Sequence, residues 1–283
     1  MSQAIDIMWD TVRKVSEQSR HVFIDRVAAV TALEQSNIDA TKPDPDKAEP
    51  LTRALVAEEL LASAVNYCYW YGCGDVRPNG ASSSKMYEIL KEASDAAMPS
   101  YNHDWFEGIK QKFYRKLAAN RFPMLEERKR HIDELTLANV IYLYETAKAE
   151  KIPCVDYLIQ IPGFGSDIFI KRAQLFFQQI QRRCICYDWG MDEFGVPADY
   201  QVPRVLRDWG ILNYDEKLSD MVDDHIMIPK GSRYEVEIRA ATIDVCEFMA
   251  KKAGVTATEI DWLVWSARKT VDTPFHLTVT TDY

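Results

Sequence analysis

The sequence predicts a mainly α protein, a helical bundle with little strand, and three observations lead there. Apolar residues recur at helical spacing in one segment after another. Proline- and acid-rich stretches such as residues 41–46 separate those segments and read as loops. Alternation with β-branched residues is confined to the tail, residues 275–281, apart from a short extended stretch at 19–25. With no internal repeat or low-complexity segment, residues 1–283 are expected to form one globular domain, either as a single body or as two helical lobes.

Taken in order, residues 5–19 place Ile5, Met8, Trp9, Val12 and Val15 on one helical face, and 27–33 turn helical again. Residues 51–65 are a helix rich in Ala and Leu. It runs into the aromatic block Asn66-Tyr67-Cys68-Tyr69-Trp70-Tyr71 and the turn Gly72-Cys73-Gly74-Asp75. A loop spans 78–84, and 85–97 and 105–117 are helices of modest amphipathicity. Phe122-Pro123-Met124-Leu125-Glu126-Glu127-Arg128 opens a helix with proline early in its first turn and acids at the positive end of its dipole. Residues 135–149 continue as helix. Pro162 cannot extend a helix, and Gly163 and Gly165 allow the positive φ of a tight turn. Ile168, Ile170, Ala173, Phe176, Phe177 and Ile180 then mark a core helix over 168–181. A short helix ends at the Gly210 cap, 231–254 is a long helix, and 260–268 a shorter one.

Composition bounds the function. Hydrophobic content of 47%, seven Trp and fourteen Tyr fit a globular chain. No apolar run approaches the roughly 18–20 residues of a membrane span. Asp6, Asp10, Arg13, Lys14 and Glu17 interrupt the stretch where a signal peptide would be apolar, so a cytosolic protein is expected. Six cysteines (Cys68, Cys73, Cys154, Cys184, Cys186 and Cys246) are then expected reduced. The Cys184-x-Cys186 spacing fits neither a zinc knuckle nor a CxxC redox site. A net charge of −9 disfavours duplex nucleic acid as a partner, while leaving room for a basic pocket around one phosphate.

Few residues stand out for chemistry. Asp199 lies just ahead of Pro203, where a helix should begin. Two readings hold there. It caps the helix, or it is an ionised carboxylate that stabilises an oxocarbenium-like transition state or attacks the anomeric carbon. Glu235 and Arg239 stand one turn apart on a helix that is otherwise apolar, as a structural ion pair or as partners of a polar ligand. Lys171 shares a stripe with Gln174, Gln178 and Gln181 that reads as a solvated face, and Arg172 and Arg204 read as surface arginines. His276 reads as structural. The 66–71 block is either packed core or a stacking wall for a flat ring.

The turn Ile161-Pro162-Gly163-Phe164-Gly165 resembles the helix-hairpin-helix element of base-excision glycosylases, which carry a catalytic aspartate a short way downstream. Further blocks widen the likeness: Ser19-Arg20-His21-Val22-Phe23-Ile24-Asp25, Asn66-Tyr67-Cys68-Tyr69-Trp70, Pro123 to Arg128, Lys171-Arg172-Ala173-Gln174, Ala198-Asp199-Tyr200-Gln201-Val202-Pro203, Gly210-Ile211-Leu212-Asn213-Tyr214, Glu235-Val236-Glu237-Ile238-Arg239 and Pro274-Phe275-His276. In this order, over nearly the whole chain, they are similar to the queuosine salvage family, the queuosine-5′-phosphate N-glycosidases.

The resemblance implies a helical fold related to the helix-hairpin-helix DNA glycosylases and adapted to a free nucleotide. It implies hydrolysis of the N-glycosidic bond of queuosine 5′-phosphate to release queuine for tRNA modification, with no metal or organic cofactor. Asp199 matches the aspartate of the family's Ala-Asp-Tyr motif and so is the expected catalytic carboxylate. A 7-deazaguanine lacks the ring N7 that usually takes up the leaving-group proton, so stabilisation of the ribosyl cation matters more. By residue type, Asn66, Tyr69, Trp70, Tyr200, Trp265 and His276 are candidates around the substrate. Glu235 and Arg239 would order its polar side, and Lys171, Arg172 and Arg204 are candidates for the 5′-phosphate. Two segments depart from the family pattern: Pro197 stands where an aromatic residue is usual, and Gly80-Ala81-Ser82-Ser83-Ser84-Lys85 holds no aromatic. A DNA glycosylase on the same fold and a non-catalytic queuine or nucleotide carrier are the rival readings.

Overall fold

The computed structural model describes residues 2–71, 77, 80–95, 102–150, 155–184 and 193–283. The turn expected at Gly72–Asp75, Pro78, Ala97, and Cys73, Cys154 and Cys186 lie outside them. Helix dominates. The described elements are α1 (Gln3–Glu17), β1 (Val22–Ile24), α2 (Arg26–Glu34), α3 (Arg53–Ala64), α4 (Ser83–Asp95), α5 (His103–Ala119), α6 (Leu125–Asp133), α7 (Leu137–Glu150), α8 (Val155–Leu158), α9 (Pro162–Gly165), α10 (Lys171–Arg183), α11 (Gln201–Asp208), β2 (Leu212–Tyr214), α12 (Glu216–Asp223), α13 (Arg233–Ala253) and α14 (Ala257–Ala267). None of these helices is long and apolar enough to cross a membrane.

Two helices organise the rest. α13 begins at Ser232, whose side chain accepts from Glu235 N, and ends at Gly254 with φ 68°. Glycine bears that left-handed conformation without strain. α13 packs against α1, α2, α11 and α14. α3, buried through most of its length, packs against α10 and α7. The two strands, only the first of which the sequence suggested, pair antiparallel with Val22 opposite Tyr214. The 275–281 tail, expected extended, forms no strand; its ladder contact is an isolated parallel bridge, Met227 to Leu277.

Several local expectations change. Pro123 lies outside α6, which starts after Met124 in the left-handed region. Gly163 and Gly165 are not in positive φ. Pro162–Gly165 is a single helical turn, and glycine is needed there for close approach. A Cβ on Gly165 would run into the Ile159 carbonyl oxygen, and one on Gly163 would sit 2.8 Å from Glu134 Oε2, which accepts from Gly163 N. Ile168 lies outside α10 and is 51% exposed.

The Lys171, Gln174, Gln178 stripe is buried, not solvated, and so is Arg172. Its glutamines face a chain segment instead of water. Gln174 Oε1 accepts from Gly195 N (2.8 Å), and Gln178 Nε2 donates to Gly195 O (3.1 Å). Buried amides need such partners, and these fix the strand of chain that leads to Asp199. Arg128 does similar work on the other side. Fully buried, it donates to the carbonyls of Val65, Tyr67, Cys68 and Pro123, and so holds the turn after α3 in shape.

Candidate active site

Where the segment after α3 meets α4, α10, α11 and α14 there is a pocket of about 570 Å³. Asp199 lines it, half-buried, at the start of α11. Its Oδ1 accepts from Gln201 N (2.7 Å) and Val202 N (3.2 Å). Among the described residues Oδ2 has no hydrogen-bond partner. The two sequence readings are thus compatible: one oxygen caps the helix while the other is left to the pocket.

Facing it, Lys171 is 3% exposed. Nζ donates to Asn66 O (2.9 Å), and its backbone N–H donates to Asp167 Oδ2 (2.8 Å). Burial lowers the Lys171 pKa to about 8 against the opposing pull of Asp199. Tyr69 donates its hydroxyl to Asn66 Oδ1 (3.1 Å). A second carboxyl, Asp261 on α14, also lines the pocket at 9% exposure. Burial, reinforced by the Asp199 charge, pushes its pKa up to about 7. A carboxyl raised this far can hold a proton close to neutrality, which is what a general acid needs.

Of the residues singled out from the sequence, Asn66, Tyr69, Lys171, Asp199, Tyr200, Arg204 and Trp265 line the pocket. Trp70, Arg172, Glu235, Arg239 and His276 are buried outside its lining. Arg172 donates to Ala64 O (2.6 Å), His276 meets the Tyr283 hydroxyl (3.1 Å), and Trp70 packs on Phe275. Arg239 lies behind the site. It grips Asp167 with both terminal nitrogens (2.8 and 2.7 Å), lies 3.4 Å from Glu235 Oε1, and donates Nε to Ala198 O (3.1 Å). Pro197 and Ser82 to Ser84, the two departures from the family pattern, are both at the wall.

Asp261, Trp262, Tyr87, Arg182, Arg268 and Lys269 also line the pocket and were missed. One signal was available for Asp261, an acid set between Ile260 and Trp262 in an apolar helix. The rest sit at positions where helix periodicity alone gives no reason to prefer a pocket over solvent.

Fold and site together define a helical protein with a carboxylate-centred, cation-rimmed pocket of nucleotide size. The queuosine salvage protein family matches residues 165–283, which carry α10, Asp199, α13 and α14. A queuosine 5′-phosphate N-glycosylase/hydrolase of Sphaerobacter thermophilus is 28% identical, the match covering 96% of each chain. Proteins of the same name from Dictyostelium discoideum (23% identical, 84% of this chain and 81% of the relative) and Nematostella vectensis (24%, 68% and 65%) also match. The chain is thus similar to proteins of this name over as much as 96% of its length, as its motifs led us to expect.

Proposed function

We propose that the protein hydrolyses the N-glycosidic bond of queuosine 5′-phosphate and releases queuine for reuse in tRNA modification. The observation that carries this reading is Asp199, with one oxygen fixed on the α11 backbone and the other left to a pocket of about 570 Å³. As the C1′–N bond breaks, its electron pair leaves with the base and positive charge develops on the ribose. Asp199 stabilises or captures that charge. Asp261, protonated near neutrality, supplies the proton the base takes up. Water adds to C1′, and its proton restores Asp261. Lys171 holds Asp199 in place by charge, and Tyr69, Tyr200 and Trp265 offer ring contact.

Arg239 and Glu235 act from behind by fixing the Ala198 carbonyl. The net charge of −9 argues against duplex DNA as substrate, and the buried thiols of Cys68 and Cys246, outside any disulfide, agree with a cytoplasmic setting.

The test is queuine release from queuosine 5′-phosphate, followed chromatographically, in wild type and Asp199→Ala with folding checked by circular dichroism. A loss of at least about 10²–10³-fold is expected in the variant. Wild type that binds the nucleotide without releasing base would be a carrier.

A further inference from the structure

The cations first expected at the phosphate are poorly free to bind one. Arg172 is buried outside the pocket. Arg204 donates to Thr273 O and Val271 O (2.5 Å each) and to Gln201 Oε1 (3.3 Å). Lys171 sits beside Asp199, where charge develops. A cation that lines a pocket without a carboxylate partner is available there to an anionic ligand.

One wall of the pocket gathers such cations. Arg182 and Lys269 make no ion pair or hydrogen bond among the described residues, and Arg268 donates only to the Trp265 carbonyl (2.7 Å). The two guanidinium groups lie over neighbouring indoles of α14: Arg182 is 5.6 Å from the Trp262 ring centroid and Arg268 is 3.1 Å from that of Trp265. Stacking fixes a guanidinium while leaving N–H donors at its edge, the geometry that matches a phosphate in bidentate fashion. The like charges also share one volume. Burial depresses Arg268, the Asp199 charge opposes this, and the nearby charges of Arg182 and Arg77 add to the depression. Cations held against one another in a cavity are stabilised by an anion between them. Ser83 and Ser84, in the lining of the same pocket, have hydroxyls with no hydrogen-bond partner among the described residues, whereas Ser82 Oγ is taken by Lys85 N (3.1 Å).

We propose that Arg182 and Arg268, stacked on Trp262 and Trp265, form with Ser83 and Ser84 the subsite for a ribose 5′-phosphate dianion. This rests on the glycosidase reading and adds the group that makes the site prefer a nucleotide over its nucleoside. It also gives the 80–85 segment, where the family aromatic is missing, a role in phosphate contact.

The experiment compares kcat/KM for queuosine 5′-phosphate and for queuosine in wild type, Arg182→Gln and Arg268→Gln. Ribose 5-phosphate binding is measured by calorimetry on the same proteins. The subsite predicts that the nucleotide-over-nucleoside preference falls at least tenfold in each variant, mainly through KM, with a parallel loss of ribose 5-phosphate affinity. Arg268→Lys, which keeps the charge and loses the fork, retains part of both. Lys14→Gln, at an exposed position of α1, retains all. Unchanged preference and unchanged ribose 5-phosphate affinity in both Gln variants would overturn the subsite. If wild type cleaves neither substrate, the glycosidase reading falls, and ribose 5-phosphate binding still decides the subsite on its own: affinity lost in the variants supports it, affinity kept overturns it.

Discussion

At the scale of single residues, Asp261 links activity to stability. Its carboxyl titrates near 3.8 when unfolded and about 7 in the folded pocket, so between those values the folded state holds a proton that the unfolded state has released. Stability must then fall as pH rises through that window, and the full cost is present above about pH 7. Asp261→Asn removes the cost. The variant is expected to be more stable than wild type at pH 8, by up to roughly 4 kcal/mol, with little difference at pH 4. Urea unfolding at the two pH values checks this. The same variant loses the proton donor, so queuine release should fall about 10²-fold or more. A stabilised variant with undiminished turnover would remove Asp261 from the chemistry. Asp199 was legible in the sequence because its motif and its place before a helix both point to it. Asp261 was not, because an acid among apolar residues gives no sign of whether it meets solvent, an ion pair or a pocket.

At the scale of elements, the frame behind the site is the Asp167–Arg239 pair. Asp167 accepts from Phe169 N (3.1 Å) and Lys171 N (2.8 Å), and Arg239 reaches the Ala198 carbonyl. One buried pair therefore sets the start of α10 and the residue before Asp199 together. Asp167→Asn leaves the guanidinium buried without its main counter-charge and is expected to cost about 3–5 kcal/mol in urea unfolding, with kcat falling more than KM rises. A variant that loses stability with kcat intact would make the pair structural only.

Helix positions were largely legible, since α1 and α10 carry an apolar period and α3 a run of Ala and Leu. The roles of their polar residues were not. Gln174 and Gln178 look like a wet stripe in sequence, whereas in the fold their amides bond Gly195, Phe169 and Thr258. The glycines at 163 and 165 show the same limit. A turn pattern says that glycine is required, but positive φ and close approach leave the same letter. Gly165→Ala, driven into the Ile159 carbonyl, should therefore destabilise by roughly 1–3 kcal/mol, whereas a pure φ requirement has no support in the backbone found there.

At the scale of the molecule, one continuous apolar cluster runs from Ala4 to Val271 and draws on nearly every helix. A smaller cluster joins Tyr67, Cys68, Trp70 and Tyr200 to Phe275, Leu277 and Tyr283. Tyr283 links this smaller cluster to Arg239 on α13. Its carbonyl accepts from Cys68 N (3.0 Å), its ring lies 4.4 Å from the Arg239 guanidinium, and its hydroxyl meets His276. If the halves of the chain were independent lobes, each would hold its own core and unfold at its own midpoint. A shared core predicts the opposite: a single denaturant transition, with tryptophan fluorescence and far-ultraviolet circular dichroism coincident. Tyr283→Ala should move that whole transition by about 3–5 kcal/mol without splitting it, because the lost ring supports residues from both ends of the chain. It should also lower turnover, since Tyr200 beside Asp199 packs on Phe275 in the same cluster (4.7 Å between ring centroids). Two separated transitions, or a shift confined to one probe, would show that the chain folds as two lobes and that the tail belongs to only one of them.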